Sequence, residues 1–523
     1  MNIPSYGFEE LKWGEILKYQ ANTYPEDSAV VDLEQSIRYT YAEFNKRVNR
    51  CANMLRSFGV HKGDKICIFM NDRVEYLELF FGGSKIGAIT IPCNYRFTEG
   101  EVIRQMQHSG CDIFVYSTDA KKVAENVIAK LPSTTKAIIE VGEESGSKCL
   151  SYEGSIRNHT GDEPAIEETL YGSDTVLIIY TSGTTGIPKG VIQTHRSLLG
   201  WTFNSFYEST ATREDRILNP YPMFHFGGLI MSAQALFTGS SNIILGKFQL
   251  DKFLDVIEKE NITMFAAVPT IIHAINNLPQ EIKNRYDMSS VRTFLTSSAP
   301  LYQETYMSFT QQWPHIKIIS MYTATEFYFT CLRDRDQSRK VRCVGKAAFG
   351  NEIKIFDESG TEVKKGNIGI VYGKGISLFA GYYKNEGANQ KAFLNDWFTC
   401  EDVGYFDEEG YLYLVDRAKD MIISGGENIA SVEVENILLQ NPSIFECAVV
   451  GVHDEEWGER VHAVVSLKEG ETATPEEIME WCKGKIAGYK RPRTVSIINE
   501  LPKNPTGKIL KRELRDRYNK SDK

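Results

Sequence analysis

Hydrophobic positions recur along this chain in two rhythms, and their alternation predicts the architecture. Trp13 to Asn22 and Tyr41 to Phe58 carry apolar residues at helical spacing, Ile37 to Thr40 is extended between them, and Gly59 closes the second helix. From Lys65 the pattern turns to strand, helix, strand: Lys65 to Met70, Val74 to Ile86 and Ala88 to Pro92, then Asp112 to Tyr116, Ala120 to Lys130 and Lys136 to Val141. That βαβ rhythm implies a parallel sheet covered by helices. A polar stretch, Gly142 to Ser173, leads into the apolar run Val176 to Tyr180, which reads as a buried strand. Beyond it come a helix at His195 to Tyr207 and strands at Arg216 to Asn219, Asn242 to Leu245, Met264 to Val268, Val291 to Thr296 and Ile316 to Ser320, with a helix at Leu250 to Glu260. Three of these strands run out into segments rich in small or hydroxyl residues, PYPMFHFGG, SSAPL and MYTATE. Ligands bind at the carboxyl ends of parallel strands, so a site assembled from distant segments is expected there.

From Glu352 to Val371 the pattern shortens to alternating strands and turns, a small β-rich subdomain, and Tyr411 to Val415 is the last strand before a change of character. The charged segment Asp416 to Asp420, DRAKD, separates two apolar runs and reads as a hinge. The remainder has its own strands (Glu446 to Val452, Val461 to Leu467) and helices (Val432 to Leu439, Pro475 to Ile486). The expected class is α/β: a large N-terminal domain over 1–415 with parallel-rich sheets, a hinge over 416–420, and a small mobile α/β domain over 421–523.

A chain of 523 residues is too long for one core. The net charge of −10 gives no basic field to recruit nucleic acid or anionic lipid, so an anionic ligand must be met by local cations. Ten cysteines are scattered singly with no CxxC, against a zinc site or disulfide framework and for a reducing compartment, hence an expected cytoplasmic location. No basic leader with an apolar core opens the sequence, and no uncharged apolar run approaches about 18 residues.

The stretch that carries chemistry is Tyr180 to Gly190, YTSGTTGIPKG. Thr181, Ser182, Thr184 and Thr185 offer hydroxyls, Gly183 and Gly186 let the backbone come close to a polyanion, and Lys189 adds a positive charge. The loop suits a nucleotide triphosphate tail. It is not the Walker loop, because only two residues separate Gly183 from Gly186 and Pro188 precedes the lysine.

This order of residues, with the motifs that follow it, resembles the acyl-CoA synthetases of the adenylate-forming superfamily. The resemblance spans nearly the whole chain. It implies a two-step reaction: a carboxylate attacks the α-phosphate of ATP to give acyl-adenylate and pyrophosphate, and the thiol of coenzyme A then displaces AMP. It further implies roles for named residues. Glu326 in YTATE matches the magnesium ligand, one hard carboxylate being sufficient beside phosphate oxygens. Thr325 matches the α-phosphate contact, and Tyr322 would stack on adenine against the turn of Ser298, Ala299 and Pro300. Asp402 matches the ribose carboxylate, Arg417 a second ribose contact, and Lys419 the hinge position. His225 matches the gating aromatic, with Phe226, Gly227 and Gly228 at the acyl pocket. Ser424, Gly425 and Gly426 match the loop lining the pantetheine tunnel, a segment that equally reads as a tight turn between strands. Lys508 in PTGK matches the catalytic lysine of adenylation.

The sequence also departs from the family pattern. Thr323 stands where glycine is usual, serine stands for glycine at Ser297 or Ser298, and Cys400-Glu401-Asp402 replaces Thr-Gly-Asp. Those departures bear on the shape of the nucleotide and acyl cavities. Phe226 occupies the place where amino-acid-activating relatives carry an aspartate, and a buried ammonium without that partner is disfavoured. The reading is therefore an ATP-dependent carboxylate:CoA ligase for a fatty, alicyclic or aryl acid, with ATP, Mg2+ and coenzyme A as cofactors and a homodimer allowed. Its rivals are a ligase that loads a carrier protein, a luciferase-type oxygenase and a non-catalytic nucleotide sensor. The sensor would be expected to lose Lys508, Glu326 or Asp402, and all three are present.

Overall fold

The computed structural model describes residues 10–142, 149–181, 189–299, 301–417, 419–503 and 509–520. Ser182, Gly183, Thr184, Thr185 and Gly186 of the phosphate loop, Pro300, and Lys508 lie outside the described residues. The fold is α/β, with parallel-rich sheets, covering helices and a small C-terminal unit.

The first βαβ segments build a seven-stranded sheet whose centre is Lys65–Phe69, parallel to both Ile89–Cys93 and Ile113–Ser117. Local chemistry sets its helices. The helix Tyr41–Ser57 starts at Thr40, whose hydroxyl accepts from the Glu43 amide while the Glu43 carboxylate accepts from the Thr40 amide. Its apolar face, including Phe44, Val48, Cys51 and Leu55, is buried. The stretch expected to be merely polar contains the strand Leu150–Ser151 and the helix Tyr152–Arg157, because Tyr152 and Ile156 reach the core with too few apolar neighbours to make a visible period.

At the edge of this sheet β1 (Thr175–Thr181) pairs antiparallel with β2 (Lys189–Thr194). Lys189, expected within the loop, is thus the first residue of a strand, opposite Thr181. Helix α1 (His195–Ser209) follows, capped by Thr194 and Ser197.

A second system of fifteen strands carries the other half of the site. Its parallel core includes β3 (Arg216–Asn219), Met264–Ala266, β4 (Thr293–Thr296) and β5 (Lys317–Ala324), with Leu295 opposite Ile319. Between β3 and its neighbour Ser241–Ile244 runs α2 (Phe226–Thr238), a helix that no periodicity announces because it is buried on nearly every side. Strand β5 continues through Ala324, so Tyr322 and Thr323 lie in a strand and not in a loop, held by antiparallel pairing with β6 (Phe327–Leu332). The register shifts between Tyr322 and Thr323. The β-rich region is not a separate sheet: Cys343–Ala347 bridges β6 to β8 (Leu412–Arg417), which pairs with β7 (Asp402–Phe406).

The C-terminal unit has its own five-stranded sheet and its own apolar cluster around Ile422, Val434, Val449, Val461 and Val465. Its helices include α3 (Ser431–Leu438) and α4 (Lys511–Lys520), while the helix expected to reach Ile486 ends at Trp481. Among the described residues no two cysteines form a disulfide, and no helix is long and apolar enough to cross a membrane.

Candidate active site

Three chain segments far apart in sequence converge on Glu326. At the start of α1, Ser197 Oγ donates to Gln193 Oε1 at 2.6 Å, and Gln193 Nε2 donates to the Thr325 carbonyl at 2.6 Å. The cap of a helix therefore fixes the backbone beside Glu326. The segment 379–383 adds itself to the exposed edge of β2: Ala380 N donates to Ile192 O, Ile192 N to Gly381 O, and Tyr383 N to Gly190 O at 2.7 Å. This places Tyr382 so that its hydroxyl donates to Glu326 Oε1 at 2.9 Å, while Lys189 Nζ lies 4.8 Å from the Tyr382 ring centre. Burial pushes the Glu326 carboxyl above its ordinary value, against the pull of the Tyr382 hydroxyl, Lys189 and Arg417. Tyr382 is not visible to sequence reasoning; an aromatic pair behind a glycine is its sole mark in the sequence.

A second cluster forms where β5, β7 and β8 meet. Tyr322 donates to Asp402 Oδ2 at 2.5 Å, and Arg417 Nε donates to Asp402 Oδ1 at 3.2 Å, the last two residues being register partners. The Tyr322 ring also stacks on Phe329 with centroids 4.6 Å apart. Asp402 is buried, and a carboxylate has about four lone-pair sites, so two acceptor positions remain for further donors. Burial is the largest influence on Arg417 and opposes its charge, but Asp402 together with Cys400, Asp420 and Tyr322 outweighs it, and the guanidinium is held above its ordinary range.

The replaced glycines leave a conformational trace. Ser298 has φ +73° and Glu401 φ +64°, in the left-handed region that costs a side-chain-bearing residue about 1–2 kcal/mol. Of the two serines, Ser298 thus holds the glycine-like position, and Ser298 and Ala299 are both exposed. Thr323 sits at the register shift of β5.

His225 is the N-cap residue of α2, and its side chain makes no capping hydrogen bond. Its ring lies 4.5 Å from that of Phe224, and its Nε2 has no hydrogen-bond partner among the described residues. Burial first, and Arg96 second, hold its imidazole down to about 4. Nearby, Asp72 Oδ1 accepts from Met223 N at 2.6 Å and so anchors the PYPMFHFGG segment. Phe226 is buried against Trp201, centroids 4.9 Å apart. The two glycines that follow differ. A Cβ on Gly227 would meet nothing within 4 Å, whereas one on Gly228 would lie 2.1 Å from the Pro222 carbonyl oxygen. Gly227 leaves open space; Gly228 permits close backbone packing and opens no room.

The SGGENI segment is a hairpin. Ile422–Ser424 pairs with Glu427–Ile429, and Gly425 and Gly426 turn the chain at φ +61° and +83°. Gly425 N donates to the Trp457 carbonyl at 2.8 Å. Lys419 is exposed beside Asp420, which pairs with Arg515 of α4 at 2.8 Å. Asp416 Oδ2 accepts from both Ser431 N and Ser431 Oγ at 2.6 Å, and Lys511 Nζ reaches Ser431 Oγ at 2.6 Å and Glu435 at 2.7 Å.

Residues 17–383 match the model of the AMP-binding enzyme family and residues 433–508 that of the AMP-binding enzyme C-terminal domain. The chain is 33% identical over 507 residues to a long-chain-fatty-acid–CoA ligase of Mycobacterium tuberculosis, covering 97% of this chain and 98% of that protein. It is 32% identical over 483 residues to a feruloyl-CoA synthase of an Amycolatopsis species, covering 92% and 94%. Among solved structures, an anthranilate CoA ligase in complex with anthranoyl-AMP superposes with a TM-score of 0.91 at 25% identity, covering 100% of both chains.

Proposed function

From membership of the AMP-binding enzyme family, to which this chain belongs as an AMP-forming acyl-CoA synthetase, we propose that it activates a hydrophobic carboxylic acid, fatty, alicyclic or aryl, and passes the acyl group to coenzyme A. The observation that carries this reading is the pair of carboxylates near the end of β5, half-buried Glu326 with Tyr382 and Lys189, and buried Asp402 with Tyr322 and Arg417. In the first step an acid oxygen bonds to the α-phosphorus of ATP and the bond to pyrophosphate breaks. In the second the sulfur of coenzyme A bonds to the acyl carbon and AMP leaves.

Asp402 and Arg417 hold the ribose and Tyr322 orients the adenine, with Ser298 and Ala299 on the opposite side. Thr325 positions the α-phosphate, while Thr181, Lys189 and the loop 182–186 take the remaining phosphates. The donor set suits magnesium: an oxygen ligand at Glu326, tethered by Tyr382, with no cluster of three or more His, Cys, Asp or Glu among the described residues to form a dedicated cage. Magnesium bound there would neutralise phosphate charge. Lys508 stabilises the charge that develops as pyrophosphate departs. His225 gates acid and thiol entry. Residues 1–415 act as the large domain, 416–420 as the hinge centred on Lys419, and 421–523 as the small domain that brings Lys508 and then Ser424, Gly425 and Gly426 to the cleft; the separate apolar core around Val449 supports that division.

The test is a panel of carboxylic acids assayed for AMP release with coenzyme A and, in parallel, with a phosphopantetheinylated carrier protein. Release dependent on coenzyme A supports the reading; release with the carrier alone would replace it by carrier loading.

A further inference from the structure

The face of α2 that begins at open Gly227 continues through Met231, Gln234 and Thr238, spaced four, three and four residues apart, which keeps them on one side of the helix. Opposite them on α1 are Ser205 and Ser209, four residues apart, with Trp201 one turn earlier against Phe226. Between the two stripes, over Met264 and Leu295 of the sheet, lies a cavity of about 20 Å³ lined by Ser205, Ser209, Met231, Gln234 and Thr238. That holds one water-sized group. Phe206, Ala211, Ile217 and Phe265 complete a mostly apolar lining, in which Ser205, Ser209, Gln234 and Thr238 are the polar groups. Ser209 Oγ is spent on the Phe206 carbonyl and Thr238 Oγ1 on the Ala235 carbonyl. Gln234 is different: the side chain is 6% exposed and its Nε2 has no hydrogen-bond partner among the described residues. A buried amide donor left unpaired calls for a partner.

We propose that Gln234 is a specificity-determining residue whose amide donates to an acceptor oxygen on the distal part of the acid. The inference rests on the ligase reading above and narrows its substrate class to acids with a hydrophobic body and one ether, carbonyl or hydroxyl oxygen near the far end. Seven residues of helix separate Gly227 from Gln234, so the oxygen lies about 10 Å beyond the gate. An arylpropenoic acid with a para oxygen, or a medium-chain acid with a carbonyl near its end, has that reach. Trp201 and Phe226 line the hydrophobic body, and the stripe of α2 carries it inward.

The experiment compares isosteres. The purified enzyme is assayed for AMP release, with coenzyme A, on 3-(4-methoxyphenyl)propenoic against 3-(4-ethylphenyl)propenoic acid, and on 9-oxodecanoic against decanoic acid. The wild type is expected to favour the oxygenated member of at least one pair by roughly tenfold or more in kcat/KM, because a site built to hydrogen-bond rejects the analogue that cannot. Gln234→Met keeps length and removes the donor, and its ratio should fall to about one with the change mainly in KM. Equal or reversed preference in both pairs of the wild type overturns the proposal, whether or not Gln234→Met folds; so does a wild-type preference that Gln234→Met leaves unmoved. Turnover of the hydrocarbon acids without preference removes this inference alone, while no turnover of any of the four removes the hydrophobic-acid reading and this inference with it.

Discussion

The hydroxyl of Tyr382 donates to the carboxylate of Glu326 across 2.9 Å, although the two residues stand 56 positions apart and Tyr382 reaches the site only because its segment adds to the edge of β2. In the proposed reading Tyr382 keeps the Glu326 carboxylate oriented toward magnesium and phosphate. Glu326→Gln should retain the fold and reduce adenylation by roughly a hundredfold or more. Tyr382→Phe should reduce it by about tenfold, the scale of one hydrogen bond to a charged group. Pyrophosphate release measured against magnesium concentration checks both; unchanged rate and magnesium dependence in Glu326→Gln would remove Glu326 from the site.

The two glycines beside His225 predict opposite outcomes. Gly227→Ala adds a methyl group to open space, so melting temperature should hold while kcat/KM for the bulkiest acids falls. Gly228→Ala drives a Cβ into the Pro222 carbonyl at 2.1 Å and should destabilise the protein by several kcal/mol, about 2–3 or more. Thermal melts with an acid panel separate the two; a stable Gly228→Ala protein would show that this backbone contact can relax.

How much is legible in the sequence differs by residue for physical reasons. The helix Tyr41–Ser57 and strand Lys65–Phe69 stand where periodicity puts them, because each buries one well-marked set of positions. Helix α2 escapes the pattern because it carries two glycines in its first turn and is buried on nearly every side, leaving no polar face to set a period. Motif order points to Glu326, Asp402 and Arg417, and the last two do meet. It cannot indicate Tyr382, whose position depends on strand addition, nor tell that Gly228 serves packing. Gln234 carries no motif at all; only its unpaired amide in the cavity marks it.

His225 predicts a pH dependence. Its folded pKa of about 4 lies below the ordinary 6.5, so between those values the unfolded chain binds more protons than the folded one. Stability from this residue is complete above pH 6.5 and is lost as pH falls toward 4, roughly 3 kcal/mol in all. His225→Phe should flatten that part of the stability curve, leaving the share of His195, which burial also holds at about 4. Urea melts between pH 4 and 7 read it out. An ionisation near 6.5 in the rate profile that vanished in His225→Phe would contradict a neutral gate.

Lys511 ties α4 to α3 through Glu435 and Ser431. Lys511→Met leaves the Glu435 carboxylate buried without its cation and should destabilise the C-terminal unit by about 3–5 kcal/mol. Ser431→Ala removes the hydroxyl between Lys511 and Asp416, loosening the contact of Asp416 with α3 at a smaller cost, about 1 kcal/mol. Denaturant unfolding followed by tryptophan fluorescence compares them. Equal small losses would mean that Glu435 finds another partner.

The central claim is that one cleft performs two chemical steps, the first needing Lys508 and the second the turning of the small domain about Lys419. The most direct measurement resolves the half-reactions: acyl-adenylate and pyrophosphate formed without coenzyme A, then acyl-CoA and AMP formed from supplied acyl-adenylate. The wild type should perform both. Lys508→Ala should lose about 10²–10³ in the first and retain the second, the loss expected for one positioned charge. Lys419→Pro, restricted in φ at the hinge, should lose more of the second than of the first. Equal losses in both steps for Lys508→Ala, or ADP and phosphate in place of AMP and pyrophosphate from the wild type, would contradict the account.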